Sequence, residues 1–325
     1  MIPSHLNHAD RVSELTICQG LGRAFFDLVL PGQLGGPMEF RKAFRIPIEV
    51  ERDQGTAERL RRITSPFLMR RLKTDPAIAS ELPEKTVIDD YAGLAREQAA
   101  LYESIVRRGL EETRRTSDRF ARRALILKLI TGLKQACDHP RLYDKESPMK
   151  AALSGKAMLL VNLLGQILEC SEKVLVFSQY VECLNILRHI IADELDENCL
   201  FYTGRMDQGA RVEAVESFQT DPGRRIMLVS LRAGGVGLNL TAASHVIHYD
   251  LWFNPAVENQ ATDRAFRIGQ TRNVFVHRLI TAGTFEEKID GMLKSKRELA
   301  ELSVASGESW LSSMDDYELR EIFCK

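Results

Sequence analysis

RIMLVSLRAGGVGLNLTAASHVIHYD, residues 225 to 250, sets two short apolar runs on either side of a glycine-rich segment. RIMLVS (225–230) and HVIHYD (245–250) are rich in β-branched side chains and short, which is the texture of strands buried on both faces. Three further runs share it: KVLVFS (173–178), NCLFYT (198–203) and VFVHRLI (274–280). Helical periodicity fills 156–169, 180–193, 207–219 and 256–267. Strands alternating with helices predict an α/β fold, a parallel sheet covered by helices on both faces. Ligands of such sheets collect at the carboxyl ends of the strands. Those ends carry Ser178-Gln179, Thr203-Gly204, Ser230-Leu231-Arg232 and Asp250-Leu251-Trp252.

Outside this region the texture differs. Residues 1 to about 90 are rich in Pro and Gly, with turn signals at PGQLGGP and a helical run AERLRRI, and show no parallel-sheet rhythm. From Glu97 to Cys137, QAALYESIV and RALILKLITGLKQAC carry apolar residues at three- and four-residue steps, which predicts a mainly helical region containing a hairpin. A chain of 325 residues is longer than one core usually organises, so two or more units are expected.

With 44% hydrophobic and 27% charged residues the composition is that of a globular protein, and a net charge of −1 gives no global argument for nucleic-acid binding. Arg107, Arg108, Arg114, Arg115, Arg119, Arg122 and Arg123 form a local basic stretch that reads either as a binding surface or as a solvated helix paired with Glu111, Glu112 and Asp118. No apolar run reaches the length needed to span a membrane and no leader pattern opens the chain, so a cytoplasmic protein is expected, nucleoid-associated if bacterial. The six cysteines lack C-x-x-C pairs and read as free thiols; Cys137 and His139 are too few for a zinc site, and no metal ligands are assigned.

Two segments carry chemistry. In SLRAGGVGLNLT (230–241), Gly234, Gly235 and Gly237 allow a backbone that cradles a phosphate, or simply a tight strand-to-helix turn. In ENQATDRAFRIGQ (258–270), an N-cap at Asn254, Pro255 at the first helical position and a left-handed stop at Gly269 bound a helix. At 100° per residue, Gln260, Arg264 and Arg267 share one stripe of it. The stripe reads as facing an anion, or as a solvated surface with Asp263 nearby.

Together with PFLMRRLKTD (66–75), ELPEK (81–85), QACDHPRL (135–142), VLVFSQY (174–180), YTGR (202–205) and QATDRAFRIGQ (260–270), these segments resemble the second half of a Swi/Snf-type ATPase. These are superfamily-two, helicase-like motors that translocate on double-stranded DNA. The resemblance implies a RecA-like lobe at 151–303, preceded by a residual tail of the first lobe with a helical protrusion at 1–90 and a helical hairpin insertion at 91–150. A helical tail follows at 304–325. It implies that Arg264 and Arg267 are arginine fingers for ATP bound with Mg²⁺, that Gln260 contacts the same site, and that Gly234, Gly235 and Gly237 face the nucleotide. Ser178, Gln179, Gly204, Arg205, Ser230, Arg232 and Lys156 correspond to positions that hold the DNA backbone.

The sequence also departs from the family. It contains no G-x-x-x-x-G-K-[ST] loop and no DExH-type acidic pair, Phe266 stands where His is usual, and TICQGLGRA replaces an expected helical link. These departures suggest a truncated, frame-disrupted or split gene. The expected partner is then a first RecA-like lobe in cis or in trans, and the chain alone should hydrolyse no ATP. The alternative is a non-catalytic DNA- or partner-binding module left by the truncation.

Overall fold

The computed structural model of the chain describes residues 27, 30–49, 53–64, 67, 83–116, 118–230, 238–267, 269–298 and 321–323. The chain divides into two compact units, Met1–Asp75 and Pro76–Lys325. In the first unit the AERLRRI run lies in helix α1 (Gln54–Thr64). There Leu60 joins Leu34, Phe40 and Phe44 in a small apolar cluster.

The second unit is built on a six-stranded, all-parallel sheet of order β1-β6-β5-β2-β4-β3. Its strands are β1 (Lys85–Ala92), β2 (Val174–Ser178), β3 (Leu200–Tyr202), β4 (Ile226–Ser230), β5 (His245–His248) and β6 (Val274–Thr281). Its helices are α2 (Arg96–Arg115), α3 (Arg119–Asp138), α4 (Gly155–Glu169), α5 (Val181–Leu195), α6 (Gln208–Thr220), α7 (Pro255–Thr262) and α8 (Phe285–Glu298). The chain thus has the expected RecA-like α/β fold. β1 is the strand that has no sequence signature. It is an edge strand with Val87 and Tyr91 exposed and charges at Lys85, Asp89 and Asp90, so it presents no apolar run.

Alternation along the strands sorts the core into two faces. Val174, Val176, Ile226, Leu228 and Ile247 pack against Leu160, Leu164, Leu184 and Leu187 of α4 and α5. Leu175, Phe177, Met227, Val229 and Val246 pack on the other side against Ala214 and Phe218 of α6 and Ala261 of α7. The α2–α3 hairpin shares a third cluster with Phe285 and Ile289 of α8, Leu251 and Phe253. Side-chain caps start three of these helices: Asp118 accepts from Ala121 N at 2.6 Å, Ser154 from Ala157 N at 3.2 Å and Asp207 from Ala210 N at 2.8 Å. Gly155, the first residue of α4, approaches Gly93 so closely that a Cβ there would lie 1.7 Å from the Gly93 carbonyl oxygen.

Strand order reverses at β2, which lies between β4 and β5. This is a topological switch point, the place where open α/β sheets bind ligands. Among the described residues, no helix is long and apolar enough to cross a membrane.

α7 is shorter than its sequence suggests. It starts at Pro255 as expected but ends at Thr262, so Gln260 is helical while Arg264 and Arg267 lie in the turns that follow. Thr262 O accepts from both Ala265 N and Phe266 N at 3.0 Å, and Arg264 N bonds to Ala261 O at 3.1 Å, so three-residue bonds appear beside a four-residue one as the helix ends. Gly269, with φ +98°, then reverses the chain in a conformation that L side chains rarely adopt.

Candidate functional site

The arginine turn sits against the segment that leaves the glycine-rich run. Leu240 N donates to Arg264 O at 3.0 Å, and Arg267 Nη1 donates to Leu238 O at 3.3 Å. Gly234, Gly235, Gly237 and Arg232 lie outside the described residues. Gln260 and Arg267 are exposed, but Arg264 is only 8% exposed, which corrects the expectation of one open stripe. The reason is the early end of α7, which turns Arg264 inward. Burial, and then the positive charge of Arg267 nearby, lower the pKa of the Arg264 guanidinium. An anion bound there would offset the repulsion between the two guanidinium groups.

The strand ends meet at the switch point, where Ser178 and Ser230 are register partners. Both are buried. Ser178 Oγ donates to Asp250, and Asp250 also accepts from Gln179 N at 3.1 Å. Burial raises the Asp250 pKa, and the Ser178 and Gln179 hydrogen bonds oppose that rise. Asp250 therefore ties the end of β2 to the chain just past β5. Gln179 is half-buried, while Gly204 and Arg205 are exposed on the loop after β3.

Lys156 is placed otherwise than expected. It is 0% exposed, with Nζ 3.1 Å from Asp138 Oδ1 and 2.8 Å from Glu286 Oε2. A fully buried ammonium held by two carboxylates cannot reach a DNA phosphate, so Lys156 is a core residue. His139 likewise spends both ring nitrogens locally, one accepting from Arg141 N at 3.1 Å and the other 3.1 Å from Lys150 O.

Residues 155–269 match the helicase conserved C-terminal domain, and residues 21–142 match the SNF2-related domain. The structure resembles the Sulfolobus solfataricus SWI2/SNF2 ATPase C-terminal domain with TM-score 0.63 and 32% identity, covering 74% of this chain and 99% of that one. The chain belongs to the SWI2/SNF2 ATPase family. The Sulfolobus solfataricus SWI2/SNF2 ATPase core in complex with dsDNA is also similar, with TM-score 0.68, 38% identity and coverage of 91% of this chain and 62% of that one. YwqA of Bacillus subtilis (strain 168) is 43% identical over 302 residues, which are 92% of this chain and 32% of YwqA. The chain spans about a third of the length of this relative.

Several residues around this candidate site were assigned no role in sequence: Asp250, His248, Glu258 and Arg278. Asp250 had a signal, its place at a strand end; the other three read as ordinary helix or strand polar residues. His248 is buried, with Nε2 3.0 Å from Thr262 Oγ1. Burial, and then the neighbouring Arg278, push its pKa down to about 3. An unfolded histidine titrates near 6.5, so the folded state binds fewer protons below that pH. This stabilisation is complete above about 6.5 and is lost as pH falls towards 3. Between pH 6.5 and 5 the His248 share of the loss is about 2 kcal/mol. Urea unfolding at pH 7 and pH 5 should show that much less acid sensitivity in His248→Gln; equal sensitivity in both proteins would refute the assignment.

Proposed function

We propose that this chain provides the second-lobe half of an ATP-dependent DNA translocase. Arg264 and Arg267 act on the γ-phosphate of ATP, with Gln260 and the Gly234, Gly235 and Gly237 backbone beside the phosphate chain. A first RecA-like lobe, in the same polypeptide or in another, supplies the phosphate loop and the carboxylates for Mg²⁺. The observation that carries this reading is the arginine turn. It gathers two guanidinium groups, one of them buried, and is bonded through Leu240 N and Leu238 O to the segment that follows the glycines. Asp250, the carboxylate at the switch point, is committed to Ser178 and Gln179.

The second part of the reading is a grip on duplex DNA by Gln179, Gly204 and Arg205, together with Arg232 and the backbone around Ser178 and Ser230. Support comes from the place of Gln179 just past β2 at the switch point, from that of Gly204 and Arg205 just past β3, and from the likeness to a core solved with dsDNA. Such contacts neutralise phosphates without reading bases, so affinity should be indifferent to sequence and fall steeply with salt. Arg205→Ala should weaken all duplexes alike and reduce the slope of log affinity against log salt by about 1. A flat salt dependence in the unmodified protein would count against the grip.

The test of the whole reading is complementation. The full chain, a separately produced first lobe from a close relative and duplex DNA should together hydrolyse ATP, while the chain alone should not, because DNA holds the two lobes at high effective concentration. A folded, DNA-bound pair without turnover would leave a non-catalytic DNA-binding module. Turnover by the chain alone would contradict the division of the site between lobes.

A further inference from the structure

α7, which leads into the arginine turn, is held on the sheet mainly by polar groups. Its described side chains bury Glu258, Ala261 and Thr262, and a single methyl group is a small apolar anchor. Glu258 and Thr262 are four residues apart and so share one face of the helix. Opposite them stand Arg278 of β6 and His248 of β5, which are register partners. Arg278 Nε donates to Glu258 Oε2 at 3.3 Å, and His248 Nε2 lies 3.0 Å from Thr262 Oγ1.

A helix pair four residues apart therefore meets a register pair on the sheet. Two such contacts fix both the rotation and the slide of the helix, which one contact cannot do. The sheet side of the arrangement is itself held: Arg278 donates to Asp89 of β1 at 2.7 Å and to Asp290 of α8 at 2.5 Å, and Lys294 binds the same two carboxylates at 2.5 and 2.7 Å. On the helix side, Glu258 Oε1 accepts from Trp252 N at 3.1 Å, which fixes the loop leading into α7. Phe253, in that loop, is buried in the left-handed region at φ 52°, with Lys134 Nζ 4.2 Å from its ring centroid. Such a conformation persists only where packing imposes it. Thr262 is also the root of the arginine turn, since its carbonyl accepts from Ala265 N and Phe266 N.

We infer that Glu258, Thr262, His248 and Arg278 form a two-point latch that positions the arginine turn, which makes them positioning residues for the proposed phosphoryl transfer. The latch geometry stands alone, while its catalytic consequence rests on the function proposed above. A misplacement of about 1 Å by a distant substitution can cost about 10²-fold in rate, and that is the effect expected here.

The test uses Thr262→Val, which removes the hydroxyl and keeps the shape, and Glu258→Ala. In the full chain alone, exchange of the Ala265 and Phe266 amides should accelerate by about tenfold in each variant, with the β2 and β4 amides unchanged. In the chain complemented with a first lobe and duplex DNA, kcat should fall by about 10²-fold with little change in KM. Thr262→Ser should restore both readouts. In an Arg264→Ala/Arg267→Ala background neither substitution should lower turnover further, because the groups being positioned are gone. Unchanged amide exchange, or losses that persist in full in the arginine-free background, would overturn the latch. Should the arginine substitutions themselves leave turnover intact, the finger reading fails, and the exchange measurement still decides the latch.

Discussion

In the complemented assembly, Arg264→Ala and Arg267→Ala are each expected to lower ATP turnover by about 10³-fold or more, while leaving DNA affinity within about twofold. Phosphoryl transfer spreads negative charge over the transferring group, and a guanidinium delivered to it is worth about 10³–10⁵ in rate, or about 4–7 kcal/mol. The geometry predicts how local the substitutions are. Arg264 is tied to the glycine-rich side by its carbonyl, which accepts from Leu240 N and survives in the alanine variant. Arg267→Ala removes one side-chain bond, to Leu238 O at 3.3 Å. The turn should therefore keep its course in both variants, and the loss should fall on kcat, as for an interaction made mainly in the transition state. Arg267→Lys should recover little, since an ammonium keeps the charge without the planar fork. Single-turnover and steady-state rates, measured beside DNA affinity, check this. A loss under about tenfold for both variants would remove the finger assignment.

Legibility in the sequence followed the physics of burial. Each of the five apolar runs contains a strand of the sheet, because a strand covered on both faces must be apolar throughout. β1 escaped that logic: Lys85, Val87 and Tyr91 are exposed along it, Asp89 and Asp90 interrupt its apolar residues, and LysThrValIleAspAsp (85–90) looks like a loop. The arginine cluster was legible from spacing, but the end of α7 was not, since tightening past Thr262 depends on what its side chain and carbonyl meet. Buried charge was the least legible feature. Lys156 and Arg278 have the same local sequence texture as solvated residues, and only the fold brings Asp138 and Glu286, or Asp89, Glu258 and Asp290, around them. The same holds for Ser178 and Ser230, whose hydroxyls at strand ends suggested contacts with a ligand and whose side chains lie in the core.

Lys156→Ala is expected to destabilise the Pro76–Lys325 unit by about 3–5 kcal/mol, because it leaves carboxylates in the core without their cation. Three elements converge on this ammonium: Asp138 ends α3, Lys156 opens α4 and Glu286 opens α8. Burial alone would pull the lysine pKa down, but the Glu286 and Asp138 carboxylates hold it above its ordinary value. One ammonium cannot neutralise both acids. Burial, with Asp250 and Glu286 nearby, pushes the Asp138 pKa up, and its Oδ2 has no hydrogen-bond partner. Glu286 is the better-bonded partner: its Oε1 and Oε2 lie 2.9 and 2.8 Å from the Lys156 ammonium, and Thr281 N donates to Oε2 at 2.9 Å. It follows that Lys156→Met combined with Glu286→Gln should recover part of the loss, since no unpaired charge remains, and that Asp138→Asn should be the mildest single change of the three. A DNA contact would behave otherwise: Lys156→Ala would leave stability within about 0.5 kcal/mol and lower the salt slope of DNA binding by about 1. Urea unfolding and salt-dependent DNA titration of the same protein separate the two outcomes, and a stability loss under about 1 kcal/mol would return Lys156 to the surface.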